Sequence, residues 1–190
     1  GLWYCFLALV IVLVLICASV KAVGAESNFD CGSINCDEFN ADLSDKASLQ
    51  NGTKLFVNYC MGCHSAKYSR WERVARDLQI PPSIAKESLI YADQKFGALM
   101  NISMPADKAK AWSGATPPDL TLVARARSPE WIYTYLRNFY LDPSRPLGVN
   151  NKVFKDVGMP HVLLDLQGLQ ECAPGPVLAA NGGIKRDPLT

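Results

Sequence analysis

The chain has 190 residues, of which 49% are apolar, and its 19 Lys and Arg residues nearly balance 18 Asp and Glu residues. That length suits one domain with its own apolar core, so neither disulfides nor metals are needed for folding. The many apolar and aromatic residues exclude a disordered chain, and a net charge of +1 argues against nucleic-acid binding, which requires a clustered basic excess.

Residues 1–25 predict a segment for export, either a signal peptide or a membrane helix. Residues 2–20 are uncharged and mostly apolar, and Lys21 ends the run. The small residues at 23–25 suit cleavage by a signal peptidase, whereas the length of the run also suits a retained anchor. Because the chain begins with glycine and no basic segment precedes the run, we expect its natural beginning to lie upstream.

The first half of the exported part predicts a loop followed by helices. Residues 26–43 are acidic and rich in turn formers, which indicates an irregular segment. Beyond it, apolar residues recur every three or four positions, and Ser44 and Asp45 are candidate helix caps. We therefore predict helices over residues 43–59, 68–78 and 82–91.

The clearest helix start in the chain is Ser128-Pro129-Glu130. Serine is a favoured N-cap, proline fits the first helical position, and a carboxylate is stabilised at the positive end of the helix dipole. The helix is expected to end before Pro143 and to bury one apolar face. That face consists of Trp131, Ile132, Tyr135, Leu136, Phe139 and Tyr140. Loops are predicted over 142–160 and 171–190, so the chain is expected to be mostly helical.

The chemistry of the chain is expected at Cys60-Met61-Gly62-Cys63-His64, which has the C-x-x-C-H spacing of c-type haem attachment. Two thiols on one helical turn can add to the two vinyl groups of a porphyrin, and the histidine that follows then lies beneath the iron. A thioredoxin-like redox pair uses two such cysteines as well, but after a strand and without the histidine. A zinc site that also includes Cys31 and Cys36 is a further alternative. Export favours haem, because haem c is attached outside the cytoplasm.

The ligand on the other face of the iron decides what a haem can do here. A thioether fills the sixth position and suits an electron carrier, whereas an open position suits a haem enzyme. Met61 lies inside the motif, and Met100 lies in an apolar run that indicates core packing. Met104 and Met159 both precede proline in loop-like sequence, and the glycine before Met159 allows a close approach to a flat ring. His161 is another candidate, although a lone histidine in a loop is commonly solvated.

Beyond the haem motif, the chain carries P-P-D-L at 117–120, V-A-R-A-R at 123–127 and V-G-M-P at 157–160. With N-Y-C-M-G-C-H-S-A-K-Y at 58–68, these stretches resemble the cytochrome c1 family of bacteria and follow its order. That family provides the haem-c subunit of quinol–cytochrome c oxidoreductase, the cytochrome bc1 complex. The resemblance covers about residues 44–170 and implies an all-α, class I cytochrome c-like haem domain with long loop insertions.

The resemblance also implies how the haem is held. It gives one covalent haem c, with thioether bonds at Cys60 and Cys63 and with His64 and Met159 as axial ligands.

Three further residues receive roles from the resemblance. Arg127 would approach a haem propionate, where a guanidinium–carboxylate pair is favourable. Pro117 and Pro118 would line the edge of the ring. The alternative for Arg127 is a solvated cation in a last helical turn, and the alternative for the two prolines is an ordinary helix start.

The family implies a function in one-electron transfer. The subunit would accept an electron from a Rieske iron–sulfur protein and pass it to a soluble c-type cytochrome, with cytochrome b as its membrane partner. It would be an electron carrier within an enzyme complex and not itself act on a substrate. The expected location is the bacterial inner membrane, with the haem domain on the periplasmic side. Another exported mono-haem cytochrome, or a haem enzyme with an open distal site, is the alternative.

Two features depart from the family. Residues 171–190 contain no apolar run that could span a bilayer, so we expect the family's C-terminal anchor helix to lie beyond Thr190. Cys31, Cys36 and Cys172 also lie outside the matching stretches. In an oxidising compartment Cys31 could pair with Cys36, or Cys172 could pair with either of them or beyond the chain, and the sequence does not choose.

Overall fold

The structure, a computed structural model, describes residues 3–4, 30–91 and 93–171. Helices joined by long irregular segments dominate this part of the chain, and two small antiparallel sheets accompany them. The predicted signal or anchor segment lies almost wholly outside the described residues, as does the loop predicted after 171. Among the residues described, no helix is both long and apolar enough to cross a bilayer.

Between residues 30 and 171 the regular elements are short. The helices α1 to α7 are Lys46–Leu55, Trp71–Asp77, Pro82–Ser88, Ala106–Ser113, Val123–Arg127, Pro129–Arg137 and Leu164–Gln167. The strands β1 to β4 are Ala66–Arg70, Leu99–Met100, Phe139–Leu141 and Val149–Asn151. Strand β1 pairs with β2 and β3 pairs with β4, both antiparallel.

Helix α1 leads directly into the haem motif. Its predicted cap is confirmed at Asp45, whose carboxylate accepts a hydrogen bond from the Ser48 N–H at 3.0 Å. The α-helix ends at Leu55 and continues as a π-helical turn over Phe56–Cys60. The helix predicted over 43–59 is therefore confirmed for most of its length, but it begins only at Lys46 and its last turn widens immediately before the motif. Such widened turns are frequent at functional sites.

The helix predicted over 68–78 is wrong at its start. Residues 66–70 form β1, and α2 begins only at Trp71. The reason is not local, because β1 is stabilised by pairing with β2, which lies some thirty residues further along the chain. The helix predicted over 82–91 is shorter than expected and ends at Ser88.

The helix start at Ser128 is confirmed. Its hydroxyl oxygen accepts a hydrogen bond from the Trp131 N–H at 3.2 Å, and α6 begins at Pro129. The helix ends at Arg137, however, so Phe139 and Tyr140 belong to strand β3 and not to the helical face predicted for them. Phe139 is nonetheless buried, with 1% of its surface exposed.

Most of the buried apolar residues between residues 30 and 171 form two clusters. The first packs α2, α3 and β2 against the end of the π-helical turn and contains Met61 of the haem motif. The second, smaller cluster consists of Phe139, Val149 and Val157, with Tyr135 and Met159 packed against it. The haem motif and the predicted methionine ligand therefore lie at different clusters.

A disulfide loop covers one side of α6. Cys31 and Cys36 form a disulfide bond, which selects one of the pairings that the sequence left open. The Asp37 N–H donates to the hydroxyl of Thr134, and the Asp37 carboxylate pairs with Arg137 at 2.9 Å. These two contacts of Asp37 thus attach the segment with the disulfide to α6, the helix that carries Tyr135. Cys172 lies outside the described residues.

Candidate haem-binding site

The two motif cysteines lie in a tight turn at the end of α1. The His64 N–H donates to the Cys60 carbonyl at 2.9 Å, and the Cys63 N–H donates to the same oxygen at 3.1 Å. Cys60 is half-buried and Cys63 is exposed, and both are free thiols. Cys60 and Cys63 are therefore available for covalent attachment.

The environment of Cys60 argues against a thioredoxin-like pair. Burial, together with the nearby Cys63, raises the pKa of Cys60. A redox-active cysteine needs the opposite shift, which a helix N-terminus provides, whereas this motif follows the C-terminal end of a helix. A thioredoxin-like pair also requires a strand before its two cysteines, whereas here α1 and the π-helical turn precede them.

The four-cysteine zinc site is not formed. Cys31 and Cys36 are bonded to each other and are not available as thiolates. Across residues 30–91 and 93–171, no three His, Cys, Asp or Glu side chains converge as a metal site would require.

His64 is oriented by a main-chain acceptor. Its Nδ1 lies 2.7 Å from the carbonyl oxygen of Pro118. A carbonyl can only accept, so Nδ1 carries the proton and Nε2 keeps the lone pair that a metal needs. Metal-binding histidines commonly use such a bond to fix their tautomer and ring orientation. The half-buried imidazole is thus prepared for ligation on its Nε2 side.

Pro118 contributes to the site by orienting His64 through its main-chain carbonyl, and the half-buried Pro117 precedes it. The alternative that these prolines begin a helix is wrong, because α5 starts only at Val123. Their predicted place at the ring edge stays a prediction.

The Asp119 side chain forms hydrogen bonds between the segment that contains Pro118 and the residues that follow the haem motif. Its Oδ2 accepts hydrogen bonds at 2.7 Å from the Ser65 hydroxyl and from the Lys67 N–H. Desolvation by burial opposes ionisation of this carboxyl group, but the bonds from Lys67, Thr121 and Ser65 prevail and lower its pKa to about 2. Asp119 belongs to the P-P-D-L stretch at 117–120, but the sequence gives it no role, because Ser65 and Lys67 lie about fifty residues away along the chain.

Met159 lies in a half-buried, apolar environment. It packs against the second cluster, and its Sδ accepts a hydrogen bond from the Tyr135 hydroxyl at 3.3 Å. The glycine before it, Gly158, does permit a close approach, but the group approached is main chain. A Cβ at Gly158 would lie 3.1 Å from the carbonyl oxygen of Ser113.

The other sulfur candidates have different surroundings. Met61 and Met100 are buried in the first cluster, in agreement with core packing for Met100. Met104 lines a cavity of about 370 Å³ together with Met61 and Gly62 of the motif, although Cys60, Cys63 and His64 do not line it. The choice of Met159 over Met104 as the ligand stays a prediction.

His161 differs from the solvated histidine that the sequence indicated. Only 7% of its surface is exposed, its ring stacks on Phe139 at 5.1 Å, and its Nε2 lies 3.1 Å from the Gly168 carbonyl oxygen. These contacts make it part of the core.

Arg127 is connected to Met159 through two aromatic rings. It is exposed at the end of α5, and its guanidinium lies 5.2 Å from the centre of the Trp131 ring. Trp131 stacks on Tyr135, which donates to Met159. The structure thus brings His64 into contact with Pro118, whereas Arg127 is linked to Met159 only through Trp131 and Tyr135. The propionate role of Arg127 stays a prediction.

Comparison with known proteins adds an independent line of evidence. No protein-family model matches the chain. It is 53% identical over 145 residues to cytochrome c1 of Allochromatium vinosum, an alignment that covers 76% of this chain and 59% of that protein. This chain is a homologue of cytochrome c1. The resemblance predicted from the sequence is thereby confirmed.

A second relative has a different name. The chain is 45% identical over 142 residues to a protein of Nitrosomonas europaea named ammonia monooxygenase gamma subunit, with coverage of 75% of this chain and 60% of that protein. The chain therefore spans about three fifths of the length of both curated relatives.

Proposed function

We propose that this chain holds one haem c covalently and carries single electrons as the haem subunit of a bacterial quinol–cytochrome c oxidoreductase. The observation that carries the proposal is the bond between His64 Nδ1 and Pro118 O, because it leaves Nε2 available beside two free thiols. Homology to a protein named cytochrome c1 supports the same function. The class I cytochrome c-like fold predicted from the sequence is part of this proposal.

The residues present fit the cofactor. When bound, haem c supplies an iron that gains or loses one electron. Cys60 and Cys63 would bind its vinyl carbons, while His64 and Met159 would be its axial ligands. A methionine ligand raises the reduction potential compared with two histidines, and the apolar cluster beside Met159 limits access of water to the sulfur.

Three residues would position the rest of the haem. Arg127 would pair with a propionate through its guanidinium, which Trp131 already supports from one face. Pro117 and Pro118 would lie at the ring edge. Because thioether bonds retain the haem without full enclosure, one edge can stay open for electron transfer.

The proposed partners follow from the family. A Rieske iron–sulfur protein would donate the electron, a soluble c-type cytochrome would accept it, and cytochrome b would be the membrane partner. The haem domain would lie on the periplasmic side of the bacterial inner membrane. The name of the second relative suggests a rival role in an ammonia-oxidising enzyme, but the higher identity to cytochrome c1 favours the respiratory complex.

Optical spectra of the chain produced in a host that attaches haem c test the proposal. Haem staining after denaturing electrophoresis should show covalent attachment. Met159→Leu should remove the sulfur-to-iron charge-transfer band of the oxidised protein, whereas the matched variant Met104→Leu should keep it. A chain without haem would refute the proposal, and loss of the band in Met104→Leu alone would move the axial ligand to that residue.

A further inference from the structure

The oxygen that orients His64 belongs to a peptide group that Pro118 shares with Asp119. The Pro118 carbonyl oxygen lies 2.7 Å from His64 Nδ1, and the carbon of that carbonyl is bonded to the Asp119 nitrogen. Because a peptide group is planar, its oxygen turns only through ψ of Pro118 and φ of Asp119. Contacts that fix Asp119 therefore limit how far the acceptor of His64 can turn.

The Asp119 side chain is fixed by three hydrogen bonds. Its Oδ2 accepts from the Ser65 hydroxyl and from the Lys67 N–H, both at 2.7 Å, and its Oδ1 accepts from the Thr121 N–H at 3.1 Å. A pKa of about 2 leaves the Asp119 carboxyl group ionised at neutral pH, and hydrogen bonds to an ionised acceptor are about twice as strong as neutral ones. The carboxylate is thus held through both of its oxygens.

These contacts join two chain segments in parallel with the bond to the imidazole. His64 and Ser65 are neighbours on one segment, and Pro118 and Asp119 are neighbours on the other. The His64 ring bonds to the Pro118 carbonyl, and the Ser65 hydroxyl bonds to the Asp119 carboxylate. The Ser65 carbonyl also accepts from the Leu120 N–H at 2.8 Å. The residue after the imidazole is therefore attached to the residue after its acceptor.

We infer that Asp119 is a positioning residue for His64: its carboxylate fixes the Pro118 carbonyl, and this carbonyl sets the orientation of the imidazole plane at the haem iron. The inference rests on the proposed function, since it requires His64 to be an axial ligand. In this role Asp119 acts through the Pro118 carbonyl and not by contact with the iron.

Positioning has to be separated from the effect of charge alone. A carboxylate near a haem favours the ferric ion through its negative charge, wherever its two oxygens point. Positioning depends instead on where those oxygens lie. Asp119→Glu separates the two roles, because it keeps the charge while the added methylene group moves the oxygens relative to Ser65 and Lys67.

The test compares Asp119→Glu and Asp119→Asn with the unmodified chain, all loaded with haem. In an oxidised low-spin haem protein, the spread of the haem-methyl proton shifts in NMR spectra depends on the orientation of the imidazole plane. Both variants should change this spread while the far-UV circular dichroism stays the same. In the reduced protein, the His64 Nδ1 proton should exchange with solvent up to about fivefold faster, which corresponds to the ~1 kcal/mol of one hydrogen bond.

Asp142 provides matched controls in the loop after β3. Its Oδ1 accepts from the Ser144 hydroxyl at 2.6 Å and from the Ser144 N–H at 3.1 Å. Asp142→Glu and Asp142→Asn should leave both NMR measurements unchanged. If the Asp119 variants fold poorly, Ser65→Ala removes one of the three hydrogen bonds and keeps the carboxylate. It should produce the same changes at smaller size, whereas Ser144→Ala should produce none.

Unchanged NMR measurements in Asp119→Glu would overturn the inference, because a change in Asp119→Asn alone would then be an effect of charge. Equal changes at positions 119 and 142 would overturn it as well. If the unmodified chain holds no haem, or holds one without a bond from His64 to the iron, the proposed function fails and the inference fails with it. An intact bond from His64 to the iron, with no response to Asp119→Glu, marks failure of the inference alone.

Discussion

Replacing Gly32 by alanine is expected to destabilise the protein much more than replacing Gly148. Both glycines have φ +71°, so both variants force an L-residue into the left-handed region. That costs about 1–2 kcal/mol, partly offset by about 0.4–1 kcal/mol because alanine restricts the unfolded chain. At Gly148 no heavy atom lies within 4 Å of the added Cβ, so the net cost there is about 1 kcal/mol.

At Gly32 the added carbon also collides with main chain. It would lie 2.7 Å from the Val153 carbonyl oxygen and 3.1 Å from that of Lys152. Neither oxygen can swing away as a side chain would, and the Ser33 hydroxyl is bonded to the Lys152 carbonyl at 3.1 Å. Relief of such overpacking costs about 1–3 kcal/mol, so Gly32→Ala should cost about 2–4 kcal/mol in all.

Urea unfolding of the haem-loaded chain, followed by far-UV circular dichroism, measures the difference. Both variants should keep the m value of the unmodified protein, and the midpoint of Gly32→Ala should lie about 1 M below that of Gly148→Ala, given a slope of about 1–3 kcal/mol/M. If the two midpoints coincide, the disulfide loop does not rest on residues 152–153 and the reasoning from the collision is wrong.

Two further changes test the contacts of the site and of the disulfide loop. The pKa of Asp119 falls from its ordinary 3.8 to about 2 on folding, so its stabilisation is complete above pH 4 and is lost as the pH falls through 2. Asp119→Asn should therefore lower the free energy of unfolding at pH 7. It should also flatten the decline of that free energy between pH 4 and pH 2, which urea midpoints measured across this range would show. A decline equal to that of the unmodified protein would contradict the assignment. Thr134→Val should cost about 1–3 kcal/mol by leaving the Asp37 N–H without its acceptor at 2.8 Å. Thr134→Ser keeps the hydroxyl and should cost only about 1 kcal/mol in the same assay, because it removes one methyl group from a fully buried side chain. A Thr134→Val variant no less stable than Thr134→Ser would exclude the hydroxyl as the cause.

Features that depend on neighbouring residues could be predicted from the sequence. The cap at Asp45 and the start of α6 at Ser128 follow from side chains that bond to amides three residues away. The haem motif is local in the same sense, because two thiols and an imidazole need only their spacing to be recognised.

Features that depend on distant partners could not be predicted. Residues 66–70 form a strand because Ala66 pairs with Met100. Tyr135 was assigned only to a buried face, because nothing in its own helix indicates a sulfur acceptor 24 residues away. The acceptor for His64 was also missed, since a main-chain carbonyl carries no side-chain signal and is contributed by a residue 54 positions further on.

The stretch from 113 to 118 contacts the chain at or beside each of the two ligand candidates. At one end, the Ser113 carbonyl lies so close to Gly158 that a side chain there would meet it at 3.1 Å. At the other end, the Pro118 carbonyl holds the His64 ring. Proline at 117 and 118 fixes φ at two successive residues and stiffens the connection. The segment that orients the imidazole thus also lies against the chain beside Met159.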